Sequence, residues 1–147
     1  MMVEISAMVR AEVQDCYWRD DVNCATTMLR VLGRQFRQEI HPQVLAAATG
    51  MHGAGRYGAQ CGLVEGGLMF LGLWGRALGQ SESWITDACN AYAREFECRF
   101  GSLLCRELRP QGFAEGQPPH LCEQLTLTSA EWATAWCINL QQSNCPR

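Results

Sequence analysis

Apolar side chains recur at intervals of three and four residues along most of the chain. The clearest stretch runs from about Val22 to Phe36 and follows a group of cap-type residues, Asp20, Asp21 and Asn23. Its apolar positions are Met28, Leu29, Val31, Leu32 and Phe36. This spacing places them on one side of a helix, so the segment is predicted to be an amphipathic α-helix.

Further helix signals follow this segment. His41 resembles a helix-start residue, and Pro42 can occupy the first turn of a helix that ends near Gly50. A glycine-rich connector, "GMHGAGRYG", comes next. The apolar residues beyond it predict a long helix from about Ala59 to Leu78, with a helix end near Gly79.

The C-terminal half of the chain also contains signals for helices. Ser81 or Ser83 can cap a helix that continues or kinks at Gly101. The stretch "RPQGFAEGQPP" is predicted to be a loop, and "TSAE", from Thr128 to Glu131, has the pattern of a capping box that starts the last helix. No segment alternates as a strand would. We predict an all-α fold, a single domain over residues 1–147 built as a bundle of five to six helices.

Length and charge exclude several classes of protein. A chain of 147 residues fits one domain, and its formal net charge of −3 offers no basic surface for nucleic acid or anionic lipid. The longest apolar run, Leu63 to Leu73, is shorter than the roughly 18 residues that cross a membrane. The first residues, with Glu4 and no apolar stretch, argue against a signal peptide. We therefore expect a cytoplasmic protein that binds neither nucleic acid nor membrane.

Nine cysteines are the unusual feature of the composition. Their odd number prevents complete pairing within one chain, and in a reducing cytosol thiols stay free unless they bind metal or undergo redox cycling. The sequence contains no CxxC pair. Any site built from these thiols must therefore bring together distant segments of the chain.

Glycines surround one of these cysteines, Cys61. Gly58, Gly62 and Gly66 lie four residues apart and would form a ridge on the predicted helix, against which another backbone can pack closely. Exposed backbone N–H groups and the nearby charge of Arg56 would favour the thiolate of Cys61. We expect Cys61 to be the most reactive thiol. The alternative is that the glycines only permit tight packing around a small core residue.

Four cysteines and their flanks resemble one known family, the redox-active proteins named for the pattern C-GCAxxG-C-C. The resemblance covers about residues 20 to 125 and includes the approach "TGMHGAGRYGAQ". Cys24 matches in "NCATTML", Cys61 in "CGLVEGG", Cys105 in "FGSLLCREL" and Cys122 in "HLCEQL". The chain departs from the pattern in one place, because Gln60-Cys61-Gly62 stands where the family has Gly-Cys-Ala.

The resemblance implies an all-helical protein that takes part in redox chemistry. It identifies Cys24, Cys61, Cys105 and Cys122 as the site, and the glycine spacing and nearby charge described above add Gly58, Gly62 and Arg56 as candidate residues beside it. Related four-cysteine modules occur joined to haem-binding segments, where an iron–sulfur cluster has been suggested. This chain has no CxxCH, so we do not expect it to attach c-type haem itself.

Four convergent thiols leave three kinds of chemistry open. They could hold a [2Fe–2S] or [4Fe–4S] cluster, bind a tetrahedral Zn²⁺ ion, or form reversible disulfides. The first and third describe an electron-transfer protein with a redox partner that the sequence does not name. The competing class is a zinc-thiolate or structural module without redox turnover.

For the remaining cysteines, the sequence predicts positions in the fold rather than roles in the site. Among the other cysteines, Cys89 and Cys137 are expected in the core, and Cys16 and Cys145 are expected to be exposed near the ends. Cys98 shares a helix face with Cys105 unless Gly101 breaks the helix.

Among the remaining residue types, His52 and His120 could each add a ligand or a proton donor, although a loop position is the simpler expectation. Trp74, Trp132 and Trp136 either fill the core or form an apolar patch for a homodimer.

Overall fold

A computed structural model describes residues 1–109, 112, 114, 117 and 119–143 of the chain. Over these residues the backbone forms helices, turns and one isolated β-bridge, and it contains no β-strand. The helices are α1 (Met2–Gln14), α2 (Cys24–Gln35), α3 (Pro42–Ala47), α4 (Gly62–Ala77), α5 (Glu82–Phe100), α6 (Cys105–Leu108) and α7 (Glu123–Ser143). The predicted all-α class is confirmed. The described residues contain seven helices rather than the five to six predicted.

Three predicted helix starts are confirmed by their caps. The side chains of Asn23, His41 and Ser81 each accept a hydrogen bond from a backbone N–H in the first turn of α2, α3 and α5. These bonds are 2.8, 3.2 and 3.1 Å long. Each satisfies one of the N–H groups that a helix start leaves without a partner in the helix. Gly101, at φ 93°, ends α5 and separates it from the segment that carries Cys105.

Other boundaries differ from the prediction. The long apolar helix begins at Gly62 rather than near Ala59, because Gln60 pairs with Leu104 in a β-bridge and Cys61 is extended. Gly58 lies before these residues in a left-handed conformation at φ 91°. Gly58 therefore does not belong to a helical ridge. The predicted capping box is wrong, since Thr128 lies inside α7 and donates its hydroxyl to the carbonyl of Gln124.

The N-terminal helix α1 was not predicted. It packs against α7 through a buried side that includes Val9 and Val13. The predicted loop at residues 109–119 lies largely outside the described residues.

Helices α2 and α4 pack closely at the centre of the fold. A Cβ atom added at Gly66 would lie 2.5 Å from the carbonyl oxygen of Ala25 and 2.8 Å from the Cβ of Met28. Both distances are shorter than real Cβ contacts allow, so α4 can approach α2 only because this position is glycine. The expected close backbone approach therefore occurs at Gly66.

The tryptophans belong to two separate aromatic clusters. Trp74 is 3% exposed and packs against Phe36 and Phe70. Trp132 and Trp136 pack against Tyr92 on α5, with Trp136 also donating its indole N–H to Glu95. Core packing thus accounts for Trp74, and the homodimer stays a prediction. No helix within the described part of the chain is long and apolar enough to span a bilayer.

Two glycines of the same helix offer a direct test of this packing. Gly66 faces α2, whereas a Cβ at Gly72 would meet nothing within 4 Å. We expect Gly66→Ala to lower the free energy of unfolding by about 1–3 kcal/mol, because a backbone carbonyl blocks the added methyl group. Gly72→Ala should raise it by about 0.5–1 kcal/mol, since alanine favours the helix. Urea denaturation measures both, and equal effects of the two substitutions would contradict the packing.

Candidate functional site: a cavity lined by four cysteines

Cys24, Cys61, Cys105 and Cys122 line one cavity of about 20 Å³. They come from four separate elements: the first residue of α2, the residue before α4, the first residue of α6, and a short 3₁₀ turn, Pro119–Cys122, before α7. The remaining wall is formed by His52, Leu63, Leu108, Arg109 and Leu125. The described cysteines are all free thiols.

Gly62 brings two of the cysteines together. A Cβ atom at this position would lie 2.3 Å from the Sγ of Cys24 and 2.9 Å from the backbone nitrogen of Ala25. The sulfur of Cys24 therefore occupies the space beside the residue that follows Cys61. The close approach expected at Gly62 is present, and it sets the start of α4 against the start of α2.

An isolated antiparallel bridge joins the segments of Cys61 and Cys105. The bridge pairs Gln60 with Leu104, and two backbone hydrogen bonds of 2.8 and 2.7 Å flank it. Because side chains alternate across paired extended segments, the residues that follow Gln60 and Leu104 lie on the opposite face. Cys61 and Cys105 thus become diagonal neighbours, with Cα atoms typically about 7–8 Å apart.

The glycine-rich connector forms a left-handed turn beside Cys105. Gly53 has φ 66°, and a Cβ there would lie 2.9 Å from the Cβ of Cys105 and 3.1 Å from its sulfur. Gly58 donates its N–H to the carbonyl of Gly53 at 3.0 Å, and its own carbonyl accepts from the guanidinium of Arg106 at 3.1 Å. Gly58 therefore stabilises this turn through hydrogen bonds of its backbone N–H and carbonyl groups. Gly53 was missed because its contact depends on residues fifty positions away.

Burial controls the ionisation of the two innermost thiols. It raises the pKa of Cys24 to about 12 and that of Cys61 well above its ordinary value, and the neighbouring cysteines act in the same direction. A backbone N–H of Leu63 acts in the opposite direction on the Cys61 pKa, as expected for such a donor, but burial outweighs it. The expectation of a lowered Cys61 pKa is therefore wrong.

Arg56 does not supply the expected charge to Cys61. Its side chain is exposed and lines a neighbouring cleft instead of the cysteine cavity. The cation at the cavity is Arg109, which the sequence analysis missed because it lies at the start of a predicted loop. Burial raises the pKa of Cys122, and the positive charge of Arg109 acts against that increase.

His52 is the histidine that reaches the cavity. The side-chain amide nitrogen of Asn23 lies 3.0 Å from its Nδ1. Burial lowers the pKa of His52, and the charge of Arg56 lowers it further, so the ring is neutral at pH 7. His120 instead packs on the ring of Trp18, with centroids 4.9 Å apart.

A tyrosine that the sequence analysis missed lies behind the cysteines. Tyr17 is buried in a short π-helical segment, Asp15–Arg19, and its hydroxyl shares a 2.7 Å hydrogen bond with Thr126. Burial raises its pKa well above the ordinary value, and the charges of Cys24 and Cys122 would raise it further. The phenol therefore stays neutral and supplies no charge to the site.

The other cysteines lie away from the cavity. Cys16 is fully buried beside the guanidinium of Arg30, so its predicted exposure is wrong. Cys137 is buried, as predicted, whereas Cys89 is half-buried and Cys98 is exposed. Cys145 lies outside the described residues.

Cysteine sulfurs are chemically suited to bind a metal ion as thiolates, but the side chains at this cavity are not positioned to do so. Among the described side chains, no three from Cys, His, Asp and Glu are placed to hold a metal ion together. The cavity volume is also only slightly larger than the roughly 10–15 Å³ that a single water molecule needs. A cluster of several iron and sulfide ions would require the walls to move apart.

The fold and the site together define an all-helical protein in which four cysteines from separate segments line one cavity. The chain belongs to the family described as "Putative redox-active protein (C_GCAxxG_C_C)", whose model matches residues 22–136. The expected family is thus confirmed, and the match extends further along the chain than the predicted resemblance. Comparisons with curated proteins and with solved structures found no significant match.

The raised thiol pKa values predict how stability depends on pH. A folded-state pKa of about 12 for Cys24 and Cys137 exceeds that of an unfolded thiol, about 8.5. Their stabilising contribution is complete below the unfolded pKa and is lost as pH rises towards the folded pKa. The free energy of unfolding of the reduced protein should therefore fall as pH rises from about 8 to 10.

Urea denaturation across this pH range, in the presence of a reductant, measures the effect. Cys137→Ala should reduce the slope of this decline by the amount that corresponds to about one proton released on unfolding. Cys98→Ala, at an exposed position, should leave the slope unchanged. A stability that is constant across the range would contradict the burial of these thiols.

The charge of Arg109 predicts the reactivity of Cys122. Arg109→Gln removes the nearby cation, so the Cys122 pKa rises further and its thiolate fraction falls. Alkylation of Cys122 by iodoacetamide at pH 8 should slow roughly threefold. Mass spectrometry of the peptides provides the rate, with exposed Cys98 as an internal reference. Unchanged or faster labelling of Cys122 relative to Cys98 would show that Arg109 does not act on this thiol.

Proposed function

We propose that this protein carries electrons by reversible thiol–disulfide exchange within the four-cysteine cavity. The observation that supports this most strongly is the meeting of Cys24, Cys61, Cys105 and Cys122 at one small cavity, although they come from four separate elements. Membership in a family described as redox-active supports the same conclusion. A set of core cysteines without a common function would have no need to share a cavity.

The electrostatics suit a dithiol. In the metal-free chain, burial keeps Cys24 and Cys61 protonated. A protonated thiol and a disulfide are both neutral, so oxidation places no new charge in the apolar cavity. The small volume is also compatible with sulfur–sulfur bonds, which need no space for an additional group.

The exchange begins at Cys122 in this proposal. Cys122 is half-buried and lies within the influence of Arg109, whereas Cys61 is only 5% exposed. The Cys122 thiolate attacks a sulfur of the acceptor disulfide, which forms a mixed disulfide and releases one thiol. A second cavity cysteine then displaces the other half of the acceptor.

The overall reaction balances in electrons and protons. Two protein thiols become one disulfide and give up two electrons and two protons, which convert the acceptor disulfide into two thiols. Further exchange among the remaining cavity cysteines can move the disulfide deeper. Cys61 and Cys105 are diagonal neighbours across the β-bridge, and a disulfide between them at that second position requires their Cα atoms to approach to within about 7 Å.

Thiol counting at controlled redox potential tests this function. The purified protein is equilibrated anaerobically with glutathione buffers, trapped with an alkylating reagent and weighed by mass spectrometry. We expect a pair of thiols to disappear under oxidising buffers and to return under reducing ones, in a colourless protein without iron or zinc. Cys122→Ser should abolish the change, and the matched substitution Cys98→Ser at an exposed position outside the cavity should preserve it.

Three results would contradict the dithiol mechanism. Visible absorption bands with iron and sulfide in the anaerobically purified protein would establish a cluster, and one zinc per chain would establish a metal-thiolate site. Four cavity thiols that stay reduced under the most oxidising buffer would remove the redox function altogether.

A further inference from the structure

A second and much larger cleft lies beside the cysteine cavity. Its volume is about 710 Å³, within the range of small-molecule sites. We infer that this cleft binds a small disulfide or thiol that carries carboxylate groups, and that it presents the sulfur of this ligand to the cavity. The inference rests on the proposed function, because it names the substrate class of the same site.

The two spaces share a wall. His52 lines both the cleft and the cysteine cavity, and Asn23, in the cleft, immediately precedes Cys24, in the cavity. The hydrogen bond between Asn23 and His52 joins these two wall residues. A ligand held in the cleft can therefore extend across His52 towards the cysteine sulfurs.

The charges of the cleft favour an anionic ligand. Arg19 and Arg30 both bind the carboxylate of Asp20, each at 3.0 Å, and Arg19 also pairs with Asp15 at 3.2 Å, so that these four charges balance. Arg56 lines the same cleft, and among the described residues it has no acidic partner. Asp21 also lines the cleft as an exposed carboxylate but forms no ion pair with Arg56, so Arg56 is the cation of the cleft with which an anionic ligand can pair.

The backbone holds Arg56 in an unusual conformation. Its φ is 70°, in the left-handed region, and Ala54 two residues earlier has φ 54°. Such conformations cost energy for residues other than glycine, and they are often kept where a side chain must point in a particular direction. The turn that positions Gly53 against Cys105 thus also places Arg56 in the cleft.

The chemistry follows the exchange described above. A carboxylate of the ligand pairs with Arg56, while its disulfide accepts two electrons from a pair of cavity thiols. The ligand leaves as two thiols, and the protein retains one disulfide. The reverse reaction reduces the protein with two molecules of an anionic thiol.

Two probe disulfides of different charge test the inference. 5,5′-Dithiobis(2-nitrobenzoate) carries two carboxylates, and 4,4′-dithiodipyridine is neutral at pH 7.5. Both release a product whose absorbance reports the reaction when a thiol attacks them. The background is the full chain with Cys98→Ser and Cys145→Ser, so that neither the exposed Cys98 nor the C-terminal Cys145 contributes to the signal.

Arg37 provides a matched control for Arg56. It is also exposed, has φ 53° and lies outside the cleft. We expect Arg56→Gln to slow the reaction of the reduced protein with the anionic probe roughly threefold to tenfold, because one ion pair is lost. The neutral probe should react at an unchanged rate, and Arg37→Gln should affect neither probe.

The possible failures are distinguishable. If Arg56→Gln and Arg37→Gln slow the anionic probe equally, or if Arg56→Gln slows both probes equally, the cleft does not select an anion and the inference is wrong. If neither probe reacts with the cavity cysteines in any variant, the proposed dithiol function is wrong, and the inference is overturned with it.

Discussion

The close approach of helix α4 to helix α2 is the constraint on which the rest of the structure depends. At Gly62 and Gly66 any side chain would collide with the sulfur of Cys24 or with the backbone of α2. This contact sets the residue before α4, Cys61, against the first residue of α2. The β-bridge at Gln60 then brings Cys105 to the same cavity. The site is therefore assembled by this helix packing together with the β-bridge.

Burial determines what such a site can do. Thiols enclosed by leucine side chains lose the solvation that a thiolate needs, and their pKa values rise accordingly. The family's redox character and this neutral, narrow cavity are compatible with a disulfide, which needs neither charge nor space. The half-buried Cys122, with Arg109 beside it, offers the access that the inner thiols lack.

The sequence predicted local features well and long-range ones poorly. The caps at Asn23 and Ser81 depend on a few adjacent residues, and both were among the predicted candidates. Gly58 was placed on a helical ridge because a spacing of four fits a helix, yet the left-handed turn there is fixed by contacts with Gly53 and Arg106. The pKa direction at Cys61 was wrong because burial arises from packing between distant segments, which residue spacing does not reveal. Arg109 has no distinguishing neighbour in the sequence at all.

The most direct test of the account is to map the disulfide that forms in the folded protein. Mild oxidation of the metal-free protein, followed by digestion without reduction and mass spectrometry, identifies the linked peptides. The account predicts a bond that joins two of Cys24, Cys61, Cys105 and Cys122. Bonds that link only the other cysteines, with all four cavity thiols still free, would contradict it.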